Sequence, residues 1–265
     1  MKKRLAVLFL VAMFTLPFDS VFAGQASITL ACEDRENFPF VLGEGSDLKA
    51  ENPGLSVEVL RLAAARLKIS VNFTRLPWNR GKNALRYGKV DGLFNTGYTP
   101  EDRSIGVFPM RAGLPDDSRR MATVPFSIYT LKDSGLTWDG GYFNRKNLRV
   151  SVPMGFCVVS ELRRMGLSVE ESPGVSNCFR KLVYKRVDAV VAPGTTGDHL
   201  IESGRAEFSQ FIRLEKPLNV QPFYLIFSHQ FYSRNRDLAE LIWDTVAELR
   251  ESVAMKDLEK KYAGL

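Results

Sequence analysis

Three acidic residues near the start of the chain have side chains suited to proton chemistry. Glu33, Asp34 and Glu36 come directly after Ile28–Cys32, an apolar run that is typical of a strand. A carboxyl group held in a cleft can act as a general acid or base, whereas in an ordinary loop it would be solvated. The sequence has no Gly-x-Ser-x-Gly, His-Glu-x-x-His or Cys–His arrangement. This favours a binding site over a catalytic one, and an enzyme stays the alternative.

Four aromatic side chains fall at predicted strand-to-helix turns, where open α/β sheets place their ligands: Phe38, Phe40, Trp78 and Tyr98. A ring at such a turn can stack on a flat ligand or cover a cation. Trp78 follows Pro77 and has a second interpretation, in which the indole only covers the core. The sequence leaves both interpretations of Trp78 open.

A short unit of sequence occurs twice. Residues 83–94 and 180–191 share Leu, Tyr, Val and Asp at equivalent positions, and Asp188 lies 97 residues after Asp91. Each copy ends a helix-like stretch, turns at a basic residue and Val-Asp, and enters an apolar run typical of a buried strand. The repeat indicates two similar lobes with a ligand-binding cleft between them. The alternative is chance recurrence of a common helix-to-strand turn.

The rest of the chain alternates strand-like and helix-like segments, which is typical of an α/β fold with largely parallel sheets. In the first half we predict strands at 28–32, 69–73 and 92–95, with helices at 52–68 and 78–87. In the second half we predict strands at 148–152, 168–170 and 189–192, with helices at 157–165, 177–185 and 196–203.

Two apolar extended stretches, 122–131 and 222–227, flank the second half and are predicted to carry the chain to the second lobe and back. A helix from residue 236 to about 252 has one apolar face, and a short helix is predicted at 255–262. Because both helices follow the return crossing, we expect them to pack on the first lobe. The predicted lobes are 24–125 with 223–265, and 126–222.

The chain has three cysteines and two histidines, His199 and His229. None has the spacing of a metal site, so we expect no metal. In an oxidising compartment, three cysteines allow one intramolecular disulfide at most. Cys157 and Cys178 both begin predicted helices that follow strands of the second lobe, so we expect them to be bridged and Cys32 to be free. The alternative is thiols packed as small apolar groups.

The N-terminus has the pattern of a secretory signal. Met1-Lys2-Lys3-Arg4 precedes a short apolar run, and Val21-Phe22-Ala23 supplies a cleavage site. The run is too short to span a bilayer, so we expect residues 1–23 to be removed and a soluble periplasmic monomer to remain. The formal net charge is +6, and it falls to +4 without the three basic residues and one acidic residue of the signal. No basic run contains interleaved aromatics, which argues against nucleic acid.

The mature chain resembles family 3 of the bacterial extracellular solute-binding proteins, the polar-amino-acid type of ABC-transporter binding protein. The resemblance rests on the order of several segments: FPF at Phe38, GLSVEVLRLAAARL from Gly54, LPWNRGKNALRYGKVDGLF from Leu76, GYTPEDR from Gly97 and VDAVVA from Val187. It implies a type II periplasmic-binding fold, in which two lobes joined by two strands close on a small ligand. It also implies a membrane permease as partner and no cofactor.

The resemblance implies that one lobe-1 segment holds a ligand carboxylate, through Gly97, Tyr98, Thr99 and Arg103. An Arg side chain offers a planar fork of donors, and Thr adds a hydroxyl. The family usually has two residues between the Thr and the Arg, whereas this chain has three. The direction of Arg103 and its pairing with Glu101 or Asp102 therefore stay open, and an Arg exposed in a turn is the alternative.

In lobe 2 the resemblance implies ligand contacts at a helix start made of Gly155, Phe156 and Cys157. Backbone N–H groups there attract an anion, but the family's hydroxyl side chains are missing. Pro193 stands where the family has the Asp that binds a ligand amine. Asp198 is the nearest acid, with a second interpretation as a residue of the helix start, and Glu33 is another candidate. We therefore expect free amino acids to bind weakly, and an anion with an apolar or aromatic body to be preferred.

Together these features predict a periplasmic protein that captures a small carboxylate-bearing ligand, amino-acid-like or a related organic anion, for an ABC transporter. Two alternatives stay open. One is a periplasmic sensor that docks on a receptor, and the other is an enzyme of the dehydratase or lytic type on the same fold.

Overall fold

The computed structural model describes residues 26–203 and 206–264, so the predicted signal at 1–23 lies outside the described residues. The first part of the chain forms β1 (Ser27–Glu33), α1 (Leu55–Leu67), β2 (Ser70–Leu76), α2 (Trp78–Arg86), β3 (Gly92–Gly97), β4 (Met110–Arg111) and β5 (Leu114–Pro115). A 3-10 helix at Glu101–Ser104 follows β3.

The second part forms β6 (Ala122–Leu131), β7 (Arg149–Pro153), α3 (Val159–Arg164), β8 (Ser168–Ser172), α4 (Val175–Val183), β9 (Ala189–Pro193), α5 (Gly194–Glu202) and β10 (Phe211–Arg213). The chain returns through β11 (Asn219–Phe227) and ends in α6 (His229–Arg234), α7 (Arg236–Arg250) and α8 (Val253–Ala263). No helix among the described residues is long and apolar enough to cross a membrane.

The main sheet has the strand order β2-β1-β3-β11-β6-β9-β7-β8, with β10 paired to β6. β1 pairs in parallel with β2 and β3, and β7 pairs in the same way with β8 and β9. One antiparallel strand completes each half, β11 beside β3 and β6 beside β9. The halves are equivalent lobes joined by β6 and β11, which confirms the predicted two-lobed α/β fold with two crossing strands.

The repeated unit has the same structure in both lobes. Asp91 Oδ2 accepts a hydrogen bond from the Thr29 N–H at 2.8 Å, and Asp188 Oδ2 accepts one from the Arg149 N–H at 2.9 Å. The backbone N–H groups of the two aspartates donate back to the carbonyls of Thr29 and Arg149. In each repeat, these hydrogen bonds therefore connect the helix-to-strand turn to the first strand of its lobe.

Helices cover both faces of the sheet in each lobe. In lobe 2, Val152 of β7 packs in one buried cluster with Leu162 of α3, whereas Val190 of β9 packs in another with Phe179 of α4. In lobe 1, the C-terminal helices join the cluster that α1 forms with the sheet, and Trp243 Nε1 donates to the Leu225 carbonyl at 2.7 Å. The expected packing of these helices on the first lobe is confirmed.

The expected disulfide between Cys157 and Cys178 is wrong in this structure, where all three cysteines are thiols. The right-handed connections β7–α3–β8 and β8–α4–β9 run in opposite directions across the sheet, so α3 and α4 lie on opposite faces. Cys178 Sγ donates to the Gly174 carbonyl at 3.4 Å within its own helix region. Cys157 Sγ instead faces Gly97 of lobe 1.

The lobes meet where the crossing strands change partners. β6 pairs with β11 up to Phe126 and with β9 from Phe126 onward. β11 pairs with β6 up to Phe223 and with β3 from Phe223 onward. The predicted lobe boundaries, 125/126 and 222/223, fall beside these two phenylalanines and stay a prediction.

Candidate functional site

A small cavity lies between the lobes beside the crossing strands. Its lobe-1 wall carries Glu33, Trp78, Lys82, Asn95, Gly97 and Asp102, and its lobe-2 wall carries Gly155, Phe156 and Cys157. Phe126 of β6 and Phe223 of β11 complete the lining. The cavity measures about 10 Å³, roughly the space of one water molecule. The lobes are therefore closed on each other.

The ends of parallel strands and the start of α2 position the lobe-1 side chains. Glu33 is the last residue of β1, while Trp78 and Lys82 are four residues apart on α2 and so share a helix face. Lys82 Nζ lies 5.9 Å from the centre of the Trp78 ring. The indole and the ammonium therefore enter the cavity together.

Asn95 has an unusual backbone for a strand residue. Its φ is 59°, in the left-handed region, and the pairing of β3 with β11 shifts register opposite it, between Tyr224 and Ile226. Such irregularities redirect a side chain and occur often at binding sites. Here the Asn95 side chain is turned into the cavity, although the residue is only 5% exposed.

The Asn95 amide is only half satisfied. Ser56 Oγ donates to Asn95 Oδ1 at 2.8 Å, whereas Nδ2 has no hydrogen-bond partner among the described residues. Buried donors are nearly always paired in native proteins. An unpaired donor that faces a cavity between two lobes indicates a place for an acceptor on a bound molecule.

Glu33 is a buried carboxyl group on the same wall. Burial raises its pKa to about 7, and the hydrogen bond from Asn37 and the nearby Arg75 charge only partly offset that rise. Asn37 Nδ2 donates to Glu33 Oε1 at 2.6 Å, and Arg75 Nε donates to the Glu33 carbonyl at 3.1 Å. Glu33 can therefore gain or lose a proton near neutral pH.

The other charges at the cavity form an ion pair. Lys82 Nζ lies 2.9 Å from Asp102 Oδ1, and both side chains are mostly buried. The 3-10 helix Glu101–Ser104 brings Asp102 to this position. Because the pair is neutral as a whole, the net charge of the cavity wall depends on the protonation of Glu33.

Direct contacts hold the lobes together. Trp78 Nε1 donates to the Gly155 carbonyl at 3.1 Å. On the other side, Thr196 Oγ1 lies 2.7 Å from Asn37 Oδ1 and 2.9 Å from the Phe38 carbonyl. Because Asn37 also binds Glu33, hydrogen bonds connect the buried carboxyl group of lobe 1 to lobe 2. The Phe38 ring stacks on His199 with centroids 3.9 Å apart.

One close approach of the two lobes requires a glycine. A Cβ atom on Gly97 would lie 2.5 Å from Cys157 Sγ, closer than two such atoms can come. Burial also raises the pKa of Cys157 to about 12, so this thiol is protonated at neutral pH and is a poor nucleophile. Cys157 acts here as a small packing group across the cleft.

The structure brings together six of the predicted ligand-binding residues: Glu33, Trp78, Gly97, Gly155, Phe156 and Cys157. Three other predicted residues lie outside the cavity lining and contact neighbouring residues. Phe40 packs on Phe223 with centroids 6.3 Å apart, and Tyr98 packs edge-on against Phe108 at 5.2 Å. Thr99 Oγ1 accepts from the Asp102 N–H at 3.2 Å and so caps the 3-10 helix.

The expectation that Arg103 faces the cleft is wrong in this structure. Arg103 is exposed on the 3-10 helix, and its neighbour Asp102 takes the inward direction instead. With three residues per turn of a 3-10 helix, adjacent side chains point about 120° apart, so the inward direction of Asp102 leaves Arg103 pointing outward. The basic side chain that lines the cavity is Lys82, in its ion pair with Asp102.

Asp198 also lies away from the cavity. It accepts from the Tyr129 hydroxyl at 3.0 Å and forms an ion pair with Arg213 within lobe 2. Its carboxylate is therefore occupied by groups of its own lobe. This corrects the prediction of Asp198 as a ligand-binding residue.

Sequence reasoning missed the polar residues that matter most in the cavity: Lys82, Asn95 and Asp102. The spacing of Trp78 and Lys82 was a usable signal, since residues four apart on a helix share a face. A polar residue such as Asn95 within a buried strand was a second signal. Asn37 and Thr196, which join the lobes, carry no signal in the sequence that would pair them.

No protein-family model matches the sequence, and no curated protein matches it. Among solved structures, the chain is similar to the substrate-binding protein of an amino acid ABC transporter, with 17% identity, a TM-score of 0.69, and coverage of 91% of this chain and 100% of that one. A histidine kinase sensor domain with similarity to periplasmic binding proteins has 16% identity, a TM-score of 0.71, and coverage of 91% and 97%.

A third similar structure is an ancestral amino acid-binding protein described as a precursor of cyclohexadienyl dehydratase. It has 15% identity, a TM-score of 0.67, and coverage of 89% of this chain and 95% of that one. At this level of identity the similarity establishes the fold, and the cavity described above has to carry the functional argument.

Proposed function

We propose that this chain, which has the type II periplasmic-binding fold, is a periplasmic solute-binding protein that closes on a small carboxylate-bearing solute. The unpaired Nδ2 of Asn95 in the cavity between the lobes is the observation that carries the proposal. A carboxylate oxygen is the acceptor that this donor lacks, and the Lys82 ammonium beside it would strengthen the hydrogen bond.

The remaining groups of the cavity fit the same ligand. Protonated Glu33 can donate a hydrogen bond to a carboxylate, and its pKa of about 7 allows that state near neutral pH. The closed cavity has space for about one water. A solute therefore has to enter an open form, and the lobes would close less tightly around it than in this structure.

The first experiment is a thermal-shift screen of small carboxylates, the twenty amino acids, polyamines and sugars, because a ligand that binds only the folded protein raises its melting temperature. We expect carboxylates to give the largest shifts and free amino acids small ones. A largest shift from sugars or polyamines would contradict the proposed ligand class.

Asn95→Asp tests the donor directly, since it keeps the size of the side chain and replaces Nδ2 with a negatively charged oxygen. We expect the tightest carboxylate of the screen to bind about tenfold more weakly or worse, which is about 1.4 kcal/mol or more. Asn83→Asp makes the same change at an exposed position of α2 and is the control. Equal affinities of the two variants would remove Asn95 from the site.

A second pair of variants decides which basic residue is the anchor. Lys82→Met should weaken carboxylate binding about tenfold, whereas Arg103→Met should leave the dissociation constant within about twofold of the wild type. The opposite order would restore Arg103 as the anchor and show that the 3-10 helix turns inward in the bound form.

We also propose that the solute is passed to an inner-membrane ABC permease. The sensor alternative shares the fold, as the histidine kinase sensor domain illustrates. Permease and ATPase genes beside this gene, with loss of solute uptake when the gene is deleted, would support transport. An isolated gene with unchanged uptake would favour the sensor.

An enzyme is the second candidate function, because a buried carboxyl group with a pKa of about 7 suits general acid–base catalysis. One similar structure is described as a precursor of a dehydratase. Proton NMR of each binding solute, incubated with wild type and with Glu33→Gln, tests this function. A product that forms only with the wild type would establish the enzyme, and unchanged spectra support the binding protein.

A further inference from the structure

A second cavity lies between the lobes directly beyond Trp78 and Phe156. It measures about 290 Å³, close to the lower limit of small-molecule sites. Glu33, Trp78 and Phe156 line both this outer cavity and the central one. Trp78 stands at the junction of the two cavities, with its indole N–H 3.1 Å from the Gly155 carbonyl and its ring edge-on to Phe156.

The walls of the outer cavity are mostly apolar. Pro77 precedes α2 in lobe 1, and Pro153, Met154 and Pro173 contribute from lobe 2. Met154 is 40% exposed and lines this cavity, so part of its side chain can pack against an occupant. A flexible thioether also adapts to the shape of whatever packs against it.

The charged groups at the rim already have partners. Arg35 lies 3.2 Å from Glu44 and 3.8 Å from Asp34 in lobe 1, so each of these three side chains has an oppositely charged partner, with one negative charge in excess. Glu171 accepts from the Gly155 N–H at 2.8 Å and pairs with Arg163 at 2.8 Å. The apolar walls favour an uncharged apolar occupant, and the excess negative charge at the rim disfavours a second anionic group there.

We propose that the outer cavity is a subsite for the apolar body of the solute, whose carboxylate end occupies the central cavity. The preferred solute is thus a carboxylate with a ring or branched hydrocarbon body. Trp78 moves away from Gly155 when such a solute is bound. This inference rests on the proposed function, since it places the carboxylate by Asn95 and Lys82.

The test compares two acids with the same head group, acetate and phenylacetate, by ligand-observed NMR titration at one pH. Phenylacetate should bind at least tenfold more tightly, since burying a ring gains far more than burying a methyl group. Met154→Trp fills the outer cavity and should reduce the affinity for phenylacetate at least tenfold, while the affinity for acetate stays within about twofold. Leu114→Trp, on the exposed β4–β5 hairpin, is the control and should change neither affinity.

The outcomes separate the two proposals. Equal affinities of both acids for the wild type, or an equal loss of both in Met154→Trp, would overturn the subsite and leave the proposed carboxylate site in place. If neither acid binds the wild type, the proposed carboxylate site fails and the subsite fails with it. Melting temperatures of the two tryptophan variants, measured alongside, show whether either has lost its fold.

Discussion

Glu33 is a residue whose ionisation is expected to affect stability near neutral pH. Its pKa rises from the usual 4.5 to about 7, chiefly because burial disfavours the charged form. The folded state therefore holds this proton more tightly than the unfolded state, so the stabilisation is complete below pH 4.5 and is lost as the pH rises through 7. The loss amounts to about 3 kcal/mol.

Glu33→Gln should remove that part of the pH dependence, because the amide is neutral at every pH and can still accept from Asn37. We expect the variant to exceed the wild type in unfolding free energy by about 3 kcal/mol at pH 8 and to match it near pH 4.5. Urea unfolding at both pH values measures this. Glu101→Gln, at an exposed position, is the control and should leave the pH dependence of the unfolding free energy unchanged. If Glu33→Gln showed the same pH dependence as the wild type, the raised pKa of Glu33 would be contradicted.

Because Glu33 changes charge near neutral pH, the pH dependence of binding reveals the charge of the solute. A carboxylate solute gains a hydrogen bond from protonated Glu33, so its affinity should rise as the pH falls from 8 to 6. An amine solute would show the opposite trend, since it needs ionised Glu33. Calorimetric titration across this range distinguishes the two, and a pH-independent affinity would place the charged group of the solute away from Glu33.

At the scale of elements, much of the structure could be predicted from the sequence. The predicted strand 122–131 matches β6, and apolar periodicity located the C-terminal helices. The helix predicted from residue 52 begins instead at Leu55, because Gly54 has a φ of 121° and its Cβ position lies 2.3 Å from the Phe40 carbonyl. That contact joins residues distant in sequence, so no local pattern could show it. Which face of the sheet α3 and α4 cover depends on the order of the strands, which the sequence does not show. The disulfide prediction failed because the two helices lie on opposite faces.

The two repeated turns provide a test at this scale. Asp91→Ala and Asp188→Ala each leave a backbone N–H of a neighbouring strand without its acceptor, which should cost about 1–3 kcal/mol of unfolding free energy. Asp257→Ala, at an exposed position of α8, should change stability by less than about 0.5 kcal/mol. If only one of the repeat variants is destabilised, the two turns are not equivalent in energy.

For the whole molecule, closure depends on hydrogen bonds between the lobes as well as on the solute. Thr196→Val removes the hydroxyl that contacts Asn37 and Phe38, with little change in shape. We expect the tightest solute to bind about fivefold more weakly, because a smaller fraction of the protein reaches the closed form. Thr137→Val, at an exposed lobe-2 position, is the matched control. Unchanged affinity in Thr196→Val would mean that this contact does not stabilise closure.

The repeat and the crossing strands allowed the two-lobed form to be predicted, but the closed cavity could not be. Its polar groups come from β1, α2, β3 and the turn after β3, and their meeting depends on a strand irregularity at Asn95 and on a turn that directs Asp102 inward. These are properties of the folded chain, and the sequence contains only indirect signs of them.

Small-angle X-ray scattering of the wild type, with and without the tightest carboxylate of the screen, tests most directly whether this protein is a receptor that closes on a solute. Lobe closure predicts a smaller radius of gyration at saturation, approaching that of the structure described here, and no such change in Asn95→Asp at the same solute concentration. An unchanged radius of gyration at saturation in the wild type would contradict ligand-driven closure.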